Sequence, residues 1–306
     1  MKFPSKITAK QFQKIAKSKD AIEALRKTGY PDEAKRVILN QITMAMVSDC
    51  LHHVFEALKC LEKRKVVVAL NLLRKPLKDN FTYLSWILGD EDHFYREFTR
   101  GHPERLAQSR LGNSRSEIFS KAIDKTNLAR FADVTLLLQL LFDRKNENGL
   151  EALFQHAVHL ITVQRIELQT LPENFNFIFK NHNDDDVYYR VYNALPYVLL
   201  LLSHVVVGLF DRMKAMEKGV MVMFYLRSVL GFLLLEEKGS EDAQGAIGEL
   251  LSPDLSCTYC KSRLRVSRHN AARLLMTESF RCTTCRRVSA FPFSWMCQDF
   301  GSVGGS

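Results

Sequence analysis

The chain has 306 residues, 46% hydrophobic and 25% charged, with a formal net charge of +9. That balance excludes wholesale disorder and leaves room for one large core or two domains. Seven cysteines without the spacing of a disulfide framework argue for a reducing, cytoplasmic setting, and Met1-Lys2-Phe3-Pro4-Ser5-Lys6 lacks the apolar run of a signal peptide.

The charge is concentrated at the ends. Residues 256–306 hold eight Lys/Arg against Glu278 and Asp299, and residues 1–36 hold ten against four acids, so the middle is slightly acidic. A polyanion, if bound, is met at the ends, although terminal lysines in 1–36 also serve solubility alone.

In chain order, Ile7, Phe12, Ile15, Ile22 and Leu25 predict two short amphipathic helices within 7–36, broken at Gly29-Tyr30-Pro31, with Asp32 available as a cap. A long helix is expected over about 34–62. Val47, Leu51, Val54, Phe55, Leu58 and Leu61 fall on one face at the helical period. A second runs from Val66 to Leu88, kinked or broken at Pro76, and the short Glu62–Lys65 interruption predicts an antiparallel hairpin. Further helices are expected at Ser116–Ala122, about 130–143 and about 149–168. Phe175, Phe177 and Phe179 alternate as in a short strand or an aromatic plug.

Residues 191–210 are uncharged throughout, and length alone permits a membrane span. Asn193, Pro196, His204 and, in the next apolar run, Arg227 argue instead for two helices buried in a bundle, so membrane contact by 191–235 is not expected. Acids dominate 241–254, punctuated by Gly245, Gly248 and Pro253, which reads as a linker or a loosely attached helix. No repeat of fixed period is read. The expected architecture is a mainly α multi-helix bundle over 1–240, an acidic linker over 241–254, and a small C-terminal β module with a flexible tail over 255–306.

That module carries the strongest motif. Cys257-Thr258-Tyr259-Cys260 and Cys282-Thr283-Thr284-Cys285 are two C-x-x-C pairs 21 residues apart. Each pair lets a tight turn aim two thiolates at one metal. Residues 278–281 and 286–288 read as strands flanking the second turn, with a hairpin expected between the pairs. On these residues, 255–295 resembles a zinc ribbon. The resemblance implies one structural Zn²⁺, because four thiolates leave no position for water.

Lys261, Arg263, Arg265, Arg268, Arg273, Arg281, Arg286 and Arg287 surround the cysteines, interleaved with Tyr259, Phe280, Phe291, Phe293 and Trp295. Guanidinium groups bind phosphate bidentately and exposed rings stack on bases, so RNA or DNA is the expected partner. The bland reading is that the aromatics pack the module's own core.

Two weaker constellations remain. Asp49, His52, His53 and Glu56 stand at helical spacings of three and four, with Asp90…His93 and His156, His159 as companions. Their position opposite the apolar face favours a solvated surface over a metal site. Arg96-Glu97-Phe98-Thr99-Arg100-Gly101-His102, within a helical body that opens on two long antiparallel helices, distantly resembles HEPN-type domains. That resemblance implies a metal-independent ribonuclease of a prokaryotic defence or toxin system, with Arg96 on the scissile phosphate and His102 as general acid or base. The usual polar start after the arginine is Glu97 here, and His102 sits in Gly-His-Pro, a surface loop by composition. A third reading makes the bundle and module a protein-binding or homo-oligomerising scaffold.

Overall fold

The structure is a computed structural model and describes residues 8, 13, 15, 17–159, 161, 170, 185–236, 239–250 and 256–291. The aromatic alternation at Phe175–Phe179, Phe293, Trp295 and the tail lie outside the described residues. The chain is mainly α-helical, with one small antiparallel sheet. Packing groups it into two compact units. The first takes the residues up to Ala194 together with His204–Leu209, and the second takes Leu195–Ser203 together with those from Phe210 onward.

In the first unit, α1 (Ala21–Lys27) is capped by Asp20, whose carboxylate accepts from Glu23 N at 2.8 Å. The long helix α2 (Pro31–Glu62) starts on Pro31, where a missing N–H costs nothing, with Asp32 and Glu33 in its first turn. Its buried face is only partly the one that apolarity suggested. Ala34, Leu39, Thr43, Val47, Cys50, Ala57 and Leu61 are buried, whereas Leu51, Phe55 and Leu58 are exposed. The buried face mixes the small Ala34, Thr43, Cys50 and Ala57 with the larger Leu39, Val47 and Leu61.

α3 (Val66–Arg74) returns along α2 and leads into a π-helical turn, Lys75–Asn80, before α4 (Phe81–Gly89). Pro76 explains the turn: it has no N–H to donate, and its ring displaces the preceding carbonyl, so the ladder widens locally. The widened turn swings Lys78 inward, where it is 9% exposed.

α5 (Glu91–Thr99) is capped by Asp90, which accepts from His93 N at 3.0 Å. α6 (Arg115–Ile123) crosses α4, with Phe81 and Phe119 edge to face at 5.0 Å. Their approach requires Gly89, since a Cβ there would lie 2.9 Å from Lys121 Cβ. α7 (Val134–Phe142) and α8 (Glu151–Val158) complete the described bundle.

α9 (Asp186–Met213) contributes turns to both units. Val187, Val191, Ala194, Val205 and Leu209 are buried in the first unit, and Leu195, Val198, Leu201 and Leu202 in the second. α9 and α10 (Lys218–Leu235) are long and apolar enough to cross a membrane by length and composition. α9 buries a seam along one side, whereas only Met223 and Leu234 of α10 are buried among the described residues, so the expected burial of both helices is not met by α10.

His204 in α9 is 3% exposed, and burial pushes its imidazole down to about 4. Below about pH 6.5 an unfolded histidine takes up a proton that the folded one refuses. Stability should therefore fall as pH drops from about 6.5 to 4, by about 3 kcal/mol. Urea midpoints at the two ends of that window, compared between wild type and His204→Asn, should show the loss in the wild type and a smaller one in the variant.

In the second unit, α11 (Gly239–Leu250) occupies much of the stretch expected to be an acidic linker. Its Ala243 and Ile247 are fully buried against Leu264, Leu274 and Phe280. α12 (Arg268–Thr277) stands between the cysteine pairs, where a hairpin was expected. Ser267 caps it, accepting from Asn270 N at 3.3 Å, and Ala271, Leu274 and Leu275 form its buried face at helical spacing. The strands β1 (Ser279–Arg281) and β2 (Val288–Ala290) pair antiparallel around the second turn, with Phe280 opposite Ser289.

Candidate metal centre and its basic surface

The four cysteine Sγ atoms lie within 4.8 Å of one another, the one group of metal-capable side chains found among the described residues. Cys257 and Cys285 sulfurs are 3.6 Å apart and those of Cys260 and Cys282 are 3.7 Å apart. Disulfides need about 2.05 Å. A tetrahedron of thiolates about 2.3 Å from one ion sets its sulfurs about 3.8 Å apart, so the spacing fits a single metal ion.

The two turns are built alike. Cys257 N donates to Ser262 O at 2.9 Å, and Lys261 N donates back to Cys257 O at 2.9 Å. Cys282 N and Arg287 O, then Arg286 N and Cys282 O, repeat this at 2.9 and 3.0 Å. The Ser256–Arg263 bridge likewise matches the Arg281–Val288 pair. A repeat offset by 25 residues is therefore present, carried by Cys-Thr-x-Cys and a basic residue, where none was read from the sequence.

In each turn that basic residue takes a left-handed backbone, with φ +59° at both Lys261 and Arg286. A β-carbon is strained there, so Arg286→Gly should stabilise the turn by about 1 kcal/mol. The check is a higher midpoint for loss of bound metal under competition with a chelator, and an unchanged midpoint would mean that the turn is not strained.

Two residues missed by the motif hold the centre together. The Ser262 hydroxyl lies 2.9 Å from Cys260 Sγ and 3.4 Å from Cys282 Sγ. That hydroxyl and the amide of Cys285, at 3.5 Å, lower the Cys282 thiol's pKa, whereas the thiol of Cys285 is pushed up among its sulfur neighbours. Asn270, 3% exposed, donates from Nδ2 to Arg265 O (3.2 Å) and Arg281 O (3.1 Å), and its Oδ1 accepts from Arg281 N (3.1 Å). It thereby ties the strands of both turns to α12. Its position three residues after Ser267 was the only sequence signal, and that signal speaks for a helix start.

The aromatic expectation needs correction. Phe280 is fully buried and packs edge to face on Phe291 at 5.6 Å, so these rings form the module's core. Tyr259 is exposed, with the Arg287 guanidinium 4.9 Å above its ring. Of the eight basic residues, Arg287 sits over Tyr259 and two others donate hydrogen bonds: Arg268 to Leu235 O at 3.3 Å and Arg273 to Ser279 Oγ at 3.2 Å. Lys261, Arg263, Arg265, Arg281, Arg286 and Arg287 are exposed, and none pairs with an acid among the described residues.

The other constellations do not assemble. Of the first set only Asp49 and His53 meet, with His53 Nδ1 3.4 Å from Asp49 Oδ1; Asp49 is also held by Lys75 (2.9 Å) and Asn80 (2.6 Å), while His52 and Glu56 are exposed. Glu91 pairs with Arg36 and Asp90 with Lys121. No hydrogen bond or ion pair joins Arg96 to His102 among the described residues, and His102 Nδ1 lies 3.0 Å from Glu104. A cavity of about 200 Å³ does open nearby, lined by Trp86, His93, Glu97 and Arg105 among others, but neither Arg96 nor His102 lines it.

Compared with protein-family models, curated proteins and solved structures, the chain matches none, so the HEPN-like resemblance has no family match behind it.

Proposed function

We propose that this chain is a cytoplasmic zinc-binding helical protein that engages RNA or DNA through its C-terminal cysteine module. Zn²⁺ is the ion that suits four thiolates, and with its coordination filled it is structural. The free thiols of Cys50 and Cys60 accord with a reducing compartment. The observation that carries the reading is the set of six exposed, acid-free basic side chains around the centre, with Tyr259 among them. Phosphate contacts from such a set make binding steeply salt-dependent, roughly 2.5 orders of magnitude between about 50 and 200 mM salt if all six engage one strand.

The test is fluorescence anisotropy of the metal-loaded protein with labelled single- and double-stranded RNA and DNA across a salt series, with RNA integrity followed in the same tubes. Binding should weaken at least tenfold in Arg286→Gln/Arg287→Gln. Cleavage abolished by His102→Ala would instead favour the ribonuclease.

One observation favours a second reading, a protein-interaction or oligomerisation scaffold. Met44, Leu51 and Leu58 recur every seven residues on α2, with Phe55 beside them, and all are exposed. Exposed apolar stripes of this kind mark protein contacts. Absence of binding to every nucleic acid tested would leave this reading standing alone.

A further inference from the structure

We propose that a short stretch of single-stranded nucleic acid lies in the groove between α11 and the two cysteine turns, its phosphates on Arg263 and Arg265. This rests on the nucleic-acid reading above and gives it a site. The groove is an open one of about 970 Å³; Gly245, Gly248 and Glu249 line one side, and Arg263, Arg265 and the Thr283-Thr284 pair line the other.

The arginine wall has the geometry for phosphates. Arg263 and Arg265 flank Leu264, which is 5% exposed, so burial alternates and both guanidinium groups leave the same side of the chain. Residues two apart in an extended chain are about 6.6 Å apart, comparable to successive phosphates of one strand. Neither guanidinium has a hydrogen-bond or ion-pair partner among the described residues. Exposed Thr283 and Thr284 add hydroxyl donors at the second turn.

The opposite wall is bare, and no neighbour among the described residues requires it to be. Among the described residues, a Cβ at Gly245 would meet nothing within 4 Å, and one at Gly248 would meet only Val266 Cγ2, at 3.8 Å. Gly89, by contrast, is demanded by Lys121. Two glycines three apart in a 12-residue helix weaken it, and here they only keep the groove floor low. Glu249 makes that wall unfit for phosphate, which directs the strand's backbone to the arginines and its bases toward α11.

The experiment uses the full, metal-loaded chain and a labelled twelve-nucleotide oligouridylate, with zinc content and helix signal checked for every variant. Arg263→Gln/Arg265→Gln should weaken binding at least tenfold and reduce the salt slope by about 1.4, or about 0.7 per phosphate lost. Gly245→Leu, which strengthens the helix while filling the groove, should weaken binding at least fivefold and leave the salt slope largely unchanged. If both variants bind like wild type while Arg286→Gln/Arg287→Gln does not, the groove is overturned and the nucleic-acid reading stands. If wild type itself fails to bind, both fall.

Discussion

Stripping the metal is expected to unfold residues 256–291 as a unit. Two three-residue strands and a ten-residue helix lie far below the size that is stable alone, and Cys257 and Cys282 are themselves part of the buried cluster with Leu264, Leu274 and Phe280. Structural zinc sites contribute about 10–16 kcal/mol at neutral pH, more than any other single element of this unit can supply. Treatment with a strong chelator should therefore abolish amide-exchange protection of α12 and of the β1–β2 pair, and added Zn²⁺ should restore it. Cys282→Ser should behave like the stripped protein whether or not zinc is present. Protection of α12 that survived chelation would mean that the module folds on its apolar core alone.

The second large effect is expected at the buried ion pair of Lys78 and Glu151. Glu151 is 3% exposed, and its carboxylate takes Lys78 Nζ, Arg144 Nε at 3.4 Å and Gln155 Nε2 at 3.0 Å. Lys78 Nζ also lies 5.2 Å from the Phe142 ring centre. Burial draws the Lys78 ammonium's pKa down, and Glu151 partly offsets that shift. Glu151→Ala strands that charge and should cost about 3–5 kcal/mol in urea unfolding. Lys78→Met/Glu151→Leu, which removes both charges and keeps the volume, should recover most of it. A double variant as unstable as the single one would show that the pair contributes net stability rather than merely compensating its own burial.

How far these features were legible depends on whether their cause is local. The cysteine cluster was, because a C-x-x-C turn fixes both sulfurs within four residues, and so were the strands flanking the second turn. The helix between the pairs was also written locally, in Ser267 and the Ala271, Leu274, Leu275 spacing, but the ribbon resemblance directed attention to a hairpin. The 25-residue repeat shows in the sequence only as Cys-Thr-x-Cys and one basic residue, too short to read as a period; the rest of it lies in backbone hydrogen bonds, with Ser262 answering Arg287. The buried face of α2 was only partly legible: Val47 and Leu61 are buried as expected, but Thr43, Cys50 and Ala57 share that face and the larger Leu51 and Phe55 are left outside. Lys78 reads from sequence as a surface lysine, and only the π turn made by Pro76 together with Glu151, 73 residues on, turns it inward.

The central claim is that four thiolates hold one structural zinc on which the basic surface is built. The most direct measurement is the metal content of untagged protein by inductively coupled plasma mass spectrometry, alongside Cys282→Ser. One zinc per chain in the wild type, and much less in the variant, is the expected result. Protein that folds and binds nucleic acid with no metal, or with equal zinc in the variant, would contradict it.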